Sequence, residues 1–214
     1  MSKADSPLDV LLFAGPVEVR GTSAYTLRLA QYTAAYGIAA RVVCPNATKV
    51  DPGLRSKLDI KEYRNLNVPM LGHLLLHLVK QELEKKPPDL IHIQSRHVLS
   101  QGQWLARKLK RPFLLTVNDY LQSDERLRID MRWCRGIITV SESVKKDLIA
   151  RTGLPEDFVL VIPSGVDVPE QSQHIPVLSR DHEPVVGTAG PLETIKGLPY
   201  FLGAASRVLE VNPH

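Results

Sequence analysis

The 214-residue sequence has only two cysteines, and it lacks any long run of apolar residues. Cys44 and Cys134 share no spacing typical of a metal site, so we expect both to be reduced and mainly structural. No window approaches the roughly 18 consecutive apolar residues that a membrane-spanning helix needs. The polar start MSKADSPLD also lacks the apolar core of a signal peptide. A cytoplasmic location is therefore the expectation.

Several catalytic and cofactor-binding motifs are also missing. The sequence has neither GxGxxG nor GxxxxGK followed by Ser or Thr, which argues against a dinucleotide site and a P-loop. His73 and His77 lie four residues apart, as a zinc pair would, but the glutamate of HExxH is absent. The three leucines between them, Leu74–Leu76, predict a core helix instead. His92 falls inside a predicted strand, where we expect a hydrogen-bonded interior histidine, and no Ser-His-Asp arrangement or metal site is evident.

The residues that are present predict an α/β fold. Hydrophobic residues make up 43% and charged residues 23% of the chain, as in soluble globular proteins. The predicted strands are Asp9–Phe13, Ala40–Cys44, Ile60–Tyr63, Asp89–Gln94, Pro112–Val117, Gly136–Val140 and Phe158–Ile162. The predicted helices are Thr22–Tyr36, Leu71–Lys85, Val98–Lys110, Asp124–Cys134 and Glu142–Arg151. Strands apolar on both faces with helices between them indicate a Rossmann-like, doubly wound parallel sheet, whose ligands lie beyond the carboxyl ends of the strands.

The alternation of predicted strands and helices ends after the seventh strand. Residues 169–183 contain two prolines and many polar residues, which is typical of an interdomain linker. A new strand is predicted at Pro184–Gly187 and a new helix at Leu198–Val211. We therefore expect a first domain over 1–168 and the truncated start of a second domain over 184–214.

The net charge of +4 includes one dense basic cluster, Arg107, Lys108, Lys110 and Arg111. It lies at the end of a predicted helix, where cations favour the negative end of the helix dipole. A solvated helix end is one interpretation, and peripheral contact with an anionic membrane surface is the other. Nucleic acid is not an expected partner, because no recognition motif or interleaved aromatic residues accompany the charge.

The turn after the first strand contains a candidate anion site. Gly21 permits close approach of a ligand to the backbone, and Thr22 or Ser23 can cap the helix that follows. The positive end of that helix would then face an anion such as a diphosphate. A purely structural turn is the alternative.

Polar residues also follow two later strands. Asn118 and Asp119 come directly after a predicted buried strand, at the sheet edge where a sugar could meet them, unless they only stabilise a turn. Ser141 is expected to cap the helix that follows it, and Gly153 to end that helix. Contact of Ser141 or Glu142 with a substrate is a secondary hypothesis.

Five segments, in one order, resemble the motifs of a known enzyme family. The glycine-opened first helix of the family is matched by Gly21, Leu29, Ala30 and Gly37, with Arg20 in place of its first glycine. PPDLIHIQS resembles PDVVHxH, RPFLLTVNDY resembles IPxVxTxHD, CRGIITVSESVKKDLI resembles ADxVIxVSE, and VLVIPSGVD resembles IxVIPNGVD. Over nearly its whole length, the chain is similar to retaining GT-B glycosyltransferases of family four, also called glycosyl transferases group 1.

This resemblance implies a hexosyltransferase that moves a sugar from a nucleotide-sugar donor to an acceptor hydroxyl with retention, without a metal or other cofactor. The acceptor, left open as a sugar, a lipid or a small molecule, would lie mainly against the first domain. Asn118 stands where the family has a substrate-contacting His. Asparagine keeps the hydrogen bonding but cannot shuttle a proton, so we name no catalytic residue.

The second-domain segment resembles the family motif GRxxxxKG, whose Arg and Lys neutralise the donor diphosphate. The matching residues are Gly190, Lys196 and Gly197. Pro191 takes the Arg position, which removes a bidentate contact from the leaving group. We expect Lys196, together with Gly21 and Thr22, to bind the diphosphate.

The family's later Glu-x7-Glu element, which would hold the ribose and the sugar, is not found before His214. We therefore expect the 214-residue chain alone to be inactive, because the nucleotide pocket belongs mostly to the second domain. Two other functions stay open. One is a nucleotide-sugar epimerase of the same architecture, which would need its own acid–base residues. The other is a non-catalytic α/β binding module, favoured by Asn118 and Pro191.

Overall fold

Seven short segments, most of them apolar, form the strands of one sheet. The computed structural model describes residues 6–17, 21–166, 185–190, 192 and 196–212. The strands are β1 Leu8–Phe13, β2 Ile38–Cys44, β3 Asp59–Glu62, β4 Leu90–Ile93, β5 Phe113–Val117, β6 Cys134–Thr139 and β7 Val159–Val161. All of them pair in parallel, in the order β3-β2-β1-β4-β5-β6-β7. The seven predicted strands and the parallel α/β fold are confirmed.

The strand order reverses between β1 and β4. From β1 the chain moves outward to β2 and β3, then returns to pair β4 on the other side of β1 and continues to β7. Such a reversal opens a crevice at the carboxyl ends of the two central strands, because their connections leave in opposite directions. The residues that follow Phe13 and Ile93 are therefore candidates for a ligand site.

Six α-helices lie within the described residues. They are α1 Thr22–Tyr32, α2 Pro52–Arg55, α3 Leu71–Lys85, α4 Leu99–Leu109, α5 Glu142–Thr152 and α6 Leu198–Val211. The predicted bounds of α3 and α6 are confirmed, and a 3-10 turn over Thr33–Tyr36 completes the first predicted helix. The short α2 was not predicted. It begins because Asp51 accepts a hydrogen bond from the Leu54 N–H at 3.0 Å, with Pro52 in the first helical position.

The sheet carries a hydrophobic core on each face. Along β1, Leu11 and Phe13 belong to one core, and Val10 and Leu12 belong to the other. The larger core also takes the inward residues of three helices, among them Leu76, Leu105 and Leu148. Each fully buried Leu or Phe stabilises the fold by about 1.5–3 kcal/mol. Both cysteines are buried and unpaired, as the sequence predicts.

The predicted helix at Asp124–Cys134 is wrong. The segment forms turns and irregular chain before β6. Leu127 and Ile129 pack against the larger core at alternate positions, which is the period of an extended chain. The Asp130 backbone N–H donates to Gln103 Oε1 of α4 at 3.0 Å, so a side chain takes a hydrogen bond that a helix would have made internally.

The α3 helix buries only part of its leucine run. Its buried residues are Gly72, Leu76, Val79 and Leu83. Leu74 is 63% exposed, so the core position expected for it is wrong. Three consecutive helical residues span about 200° around the axis, and they cannot all face one core.

The chain divides after Val166 into a second unit, which is described mainly by α6. None of the residues of α6 is buried. The predicted strand at Pro184–Gly187 is wrong for Val185, Val186 and Gly187, which are exposed and irregular, while Pro184 lies outside the described residues. A parallel strand needs a neighbour to pair with, and the described part of this unit offers none. The predicted linker over 169–183 also lies outside the described residues.

Candidate functional site

A cleft of about 170 Å³ lies at the carboxyl ends of β1 and β4. Its walls come from the loop after β1, the first turns of α1 and the residues that follow β4. The lining residues are Ala14, Gly15, Pro16, Ser23, Thr26, Gln94, Ser95, His97 and Val98. This is the crevice where doubly wound sheets bind their ligands. His97, which the sequence analysis did not select, is exposed in the cleft wall.

Gly21 opens the helix beside this cleft. It is the N-cap residue of α1, with φ 63° and ψ −146°, and its carbonyl accepts a hydrogen bond from the Ala24 N–H at 3.2 Å. The expected capping by Thr22 or Ser23 is wrong, because both residues already lie inside the helix. A glycine at the N-cap places no side chain over the positive end of α1. Gly21 itself therefore adds no side chain between the backbone at this position and an anion.

A polar network joins α1, β4 and β5 beneath the cleft. The Thr26 hydroxyl donates to Gln94 Oε1 at 3.1 Å, and Gln94 Nε2 donates to the His92 carbonyl at 3.3 Å. Asn118 Nδ2 donates to the Gln94 carbonyl at 3.1 Å. Buried polar groups are stable when their partners are fixed in this way. Gln94, which is buried, thus holds Asn118 at the sheet edge.

His92 is an interior histidine, as predicted. Its Nε2 lies 2.7 Å from the Thr116 hydroxyl oxygen, and the residue is buried. Burial lowers the pKa of the imidazole from 6.5 to about 4, because the charged form would lose its hydration. The ring is therefore neutral at pH 7, and the contact of His92 with the network is made by its backbone carbonyl.

Asp119 is held by a buried arginine that sequence reasoning missed. Arg96 Nε lies 3.1 Å from Asp119 Oδ1, and a second guanidinium nitrogen pairs with Glu125. The Arg96 side chain is 3% exposed, whereas the Asp119 side chain is 60% exposed. Burial acts to raise the pKa of Glu125, but hydrogen bonds from the Gln122 N–H and from Arg96 outweigh it and lower the pKa. The carboxylate of Asp119 is thus fixed at one oxygen while most of its surface faces solvent.

Ser141 lies one strand further along the same edge, after β6. As predicted, it caps α5, accepting a hydrogen bond from the Val144 N–H at 3.3 Å, and Gly153 ends the helix in the left-handed conformation with φ 69°. The Ser141 hydroxyl also lies 3.0 Å from that of Ser143. Glu142 is exposed in the first turn. Contact of Ser141 or Glu142 with a substrate stays a prediction.

Lys196 belongs to the second unit. It is exposed and directly precedes Gly197, the N-cap residue of α6. Pro191 lies outside the described residues. Among the residues described, no group of three or more His, Cys, Asp or Glu side chains is placed to hold a metal, and no helix meets the length and apolarity of a membrane span.

Comparison with solved structures places this fold among known proteins. A glycosyltransferase from Rickettsia africae ESF-5 is 21% identical, with a TM-score of 0.61 over 75% of this chain and 44% of its own. HepE from Anabaena, in complex with UDP and glucose, is 18% identical, with a TM-score of 0.57 over 75% of this chain and 45% of its own. UDP-N-acetylglucosamine 2-epimerase from Rickettsia bellii is 19% identical, with a TM-score of 0.53 over 74% of this chain and 45% of its own.

These similarities establish the fold, and the chain spans less than half the length of each of the three proteins. No curated protein matches the sequence significantly. The family model for glycosyltransferase family 4, however, matches residues 19–170. The match covers most of the chain, including all the strands from β2 to β7 and the cleft residues from Ser23 onward. The chain therefore belongs to glycosyltransferase family 4.

Proposed function

We propose that this chain supplies the acceptor-side domain, and the first elements of the donor-side domain, of a retaining hexosyltransferase that uses a nucleotide-sugar donor. Family membership supports the reaction class. The observation that carries the proposal is the cleft at the β1/β4 reversal, bordered by the glycine-opened α1 and by fixed polar residues. The complex of HepE with UDP and glucose supports a nucleotide-sugar as donor, because HepE shares this part of the fold.

The start of α1 suits a diphosphate. Exposed helix N-termini stabilise a nearby anion by about 0.3–1 kcal/mol through the dipole, and their N–H groups donate hydrogen bonds to it. Gly21 leaves that approach open, and Thr22 supplies the next backbone N–H. Lys196 would add a point charge from the second domain, without the bidentate contact that an arginine would give. Catalysis would consist of positioning and of stabilising the departing diphosphate, with no metal.

The edge beyond β5 suits a sugar hydroxyl. Asn118 Nδ2 is engaged by the Gln94 carbonyl, which leaves Oδ1 as an acceptor. Asp119 Oδ1 is engaged by Arg96, which leaves Oδ2 for a second hydroxyl. Ser141 and Glu142 extend the polar edge toward β6. Neither Asn118 nor Ser141 can act as a general base at neutral pH, so these residues would orient the substrate.

The test follows labelled sugar in the full-length product of the gene. A panel of nucleotide-sugars with a ¹⁴C-labelled hexose is incubated with the protein and with candidate acceptors. We expect release of nucleoside diphosphate and label in a new glycoside with the donor's anomeric configuration. The isolated 214-residue chain is expected to give no transfer. Transfer by that chain alone would contradict the proposed division of the site between two domains.

A nucleotide-sugar epimerase is the second candidate, because the Rickettsia bellii epimerase shares this part of the fold. The same labelled-sugar experiment distinguishes an epimerase from a transferase. Label that stays on the nucleotide, or that appears in an altered hexose without any acceptor, would identify an epimerase. Saturable donor binding without either reaction would identify a binding module and overturn the enzyme proposal.

A further inference from the structure

The outer face of α3 carries a line of exposed leucines. Leu71, Leu74 and Leu78 recur at intervals of three and four residues, which places them on one side of the helix. They are 43%, 63% and 50% exposed, and the preceding Met70 is 90% exposed. Single apolar side chains on a surface are ordinary, but a contiguous line of them marks an interaction surface.

This line continues onto α4 through aromatic contacts. The rings of His73 and His77 lie 5.7 and 4.8 Å from the ring of Trp104, centroid to centroid. Lys108 Nζ lies 5.8 Å from the centroid of the same indole ring. We name the surface formed by Met70, Leu71, His73, Leu74, His77, Leu78 and Trp104 the leucine–tryptophan face.

The helix that carries Trp104 ends in basic residues. The last turn of α4 and its C-cap contribute Arg107, Lys108 and Lys110. Arg107 pairs with Asp130 at 3.7 Å. Lys108 and Lys110 are exposed and have no acidic partner within the described part of the chain. The face therefore combines an apolar stripe, a half-buried tryptophan that also packs against the larger core, and two exposed lysines of α4.

We propose that the leucine–tryptophan face docks the protein on an anionic lipid bilayer. Leucines on one face of a helix that lies in the membrane plane enter the boundary between headgroups and acyl chains, while tryptophan sits at the headgroup level. Basic residues near an anionic surface each add about 1 kcal/mol of attraction. A two-fold contact between copies of this chain would instead bring like-charged lysines together, which disfavours a dimer at this face.

The test is vesicle co-sedimentation of the 214-residue chain, which requires no catalysis and so stands apart from the proposed function. Vesicles of phosphatidylcholine alone are compared with equal mixtures of phosphatidylcholine and phosphatidylglycerol. We expect binding to the anionic vesicles that weakens between about 50 and 500 mM salt, as screening shortens the reach of the lysines.

Two double variants test the two parts of the face. Leu74→Ser with Leu78→Ser removes apolar contact, and Lys108→Glu with Lys110→Glu reverses the charge. Each is expected to weaken binding at least about tenfold. The matched control is Leu202→Ser with Val208→Ser on α6, where the original side chains are 58% and 61% exposed. It should bind as the wild type does, and circular dichroism melting confirms that all variants fold.

Equal binding to neutral and anionic vesicles, or wild-type binding by the leucine variant, would overturn the proposal. So would a failure of the wild-type chain to bind anionic vesicles. A concentration-dependent dimer in light scattering that the Leu74→Ser, Leu78→Ser variant abolishes, without vesicle binding, would assign the face to a protein contact instead.

Discussion

The backbone conformation of Gly21 links the stability of the first helix to the proposed donor site. Its φ of 63° with ψ −146° is rarely adopted by other residues, and an added Cβ would meet no atom of the described residues within 4 Å. The cost of Gly21→Val is therefore backbone strain, about 1–3 kcal/mol of unfolding free energy. In the proposed transferase, we expect a loss of transfer larger than this destabilisation explains, because the new side chain covers the helix start. Urea unfolding and transfer rates measure the two effects.

Gly153→Val is the matched control for that substitution. Gly153 also has a positive φ, 69°, and open space around it, but it ends α5 rather than bordering the cleft. It should lower stability while transfer by the folded fraction stays near the wild-type rate. Wild-type transfer by Gly21→Val would show that this turn does not bind the donor.

His92 makes the stability of the fold depend on pH. Its pKa is about 4 in the folded protein, against an ordinary value of 6.5. Between these values the unfolded chain binds a proton that the folded protein excludes, so stability is full above pH 6.5 and falls as the pH decreases toward 4. We expect His92 to account for roughly 2–3 kcal/mol of lost unfolding free energy between about pH 7 and pH 4.5.

The measurement compares His92→Gln with the wild type by urea unfolding at both pH values. The glutamine keeps a hydrogen-bonding group near Thr116 but cannot take up a proton, so its loss on acidification should be smaller. Carboxylates with lowered pKa values, such as Glu125 and Asp147, are common to both proteins, and their contribution cancels. His77→Gln, at an exposed histidine, should behave as the wild type does. Identical acid losses in all three proteins would show that His92 is not the group responsible.

The loop after β5 is fastened by two separate arginines. The Gln122 N–H donates to Glu125 Oε2 at 3.1 Å, and Arg96 pairs with Glu125. The Leu121 N–H donates to Asp147 Oδ2 at 3.1 Å, and Arg151 Nε of α5 donates to Asp147 Oδ1 at 2.9 Å. Each amide therefore has its own carboxylate acceptor, and Arg151 Nη1 also donates to the Gln122 carbonyl at 3.3 Å.

Hydrogen exchange of these amides tests the arrangement. We expect Arg96→Met to speed exchange at Gln122 about tenfold and Leu121 less, because the loss of a charge-assisted hydrogen bond costs about 1.5 kcal/mol. Arg151→Met serves as the control and should speed exchange at Leu121 more than at Gln122. Gln122 should also respond, because Arg151 Nη1 donates to the Gln122 carbonyl at 3.3 Å. Equal acceleration of both amides in either variant would mean that the loop opens as one unit, with no separate role for Arg96.

Elements whose apolar residues keep one period could be predicted from the sequence. Most strands are short apolar runs, although β3 has the sequence DIKE, and α3 and α6 have bounds that the pattern gives directly. The charged residues of the segment before β6 resemble a helix surface, which is why the sequence predicts a helix there. Its leucine and isoleucine alternate, however, and that period is typical of an extended chain. Leu74 was misplaced because a run of three leucines does not show which one faces solvent.

Across the whole first unit, the sheet edge could be predicted but the pairing of side chains on it could not. Asn118 and Asp119 were selected because residues that follow parallel strands share one edge. Arg96 follows β4, the neighbour of β5, by the same rule, yet it lies 23 residues from Asp119 in sequence. Which cation meets which carboxylate depends on the register of β4 against β5 and on the turn that carries Glu125, and no local pattern contains either.

The first unit should fold without the second. Both hydrophobic cores are built from residues between Val10 and Val159, and helices already cover the two faces of the sheet. None of the α6 residues is buried, so its removal takes away little apolar contact. We expect a chain that ends at Val166 to melt within a few degrees of the 214-residue chain in calorimetry, since ~1 kcal/mol shifts Tm by about 2–4 °C in domains of this size.

Limited proteolysis tests the same boundary in the intact chain. The sequence over 169–183 is rich in polar residues and proline, which is typical of a linker, so we predict that it is cut first. The expected product is a stable fragment close to residues 1–168 that keeps the circular dichroism melting temperature of the uncut protein. Gly53, exposed in the short α2 of the first unit, provides an internal comparison, since cleavage there should be slow while the fold is intact. Resistance to cutting throughout 169–183, or a large fall in melting temperature once the second unit is removed, would show that α6 and its neighbours are integral to the first fold.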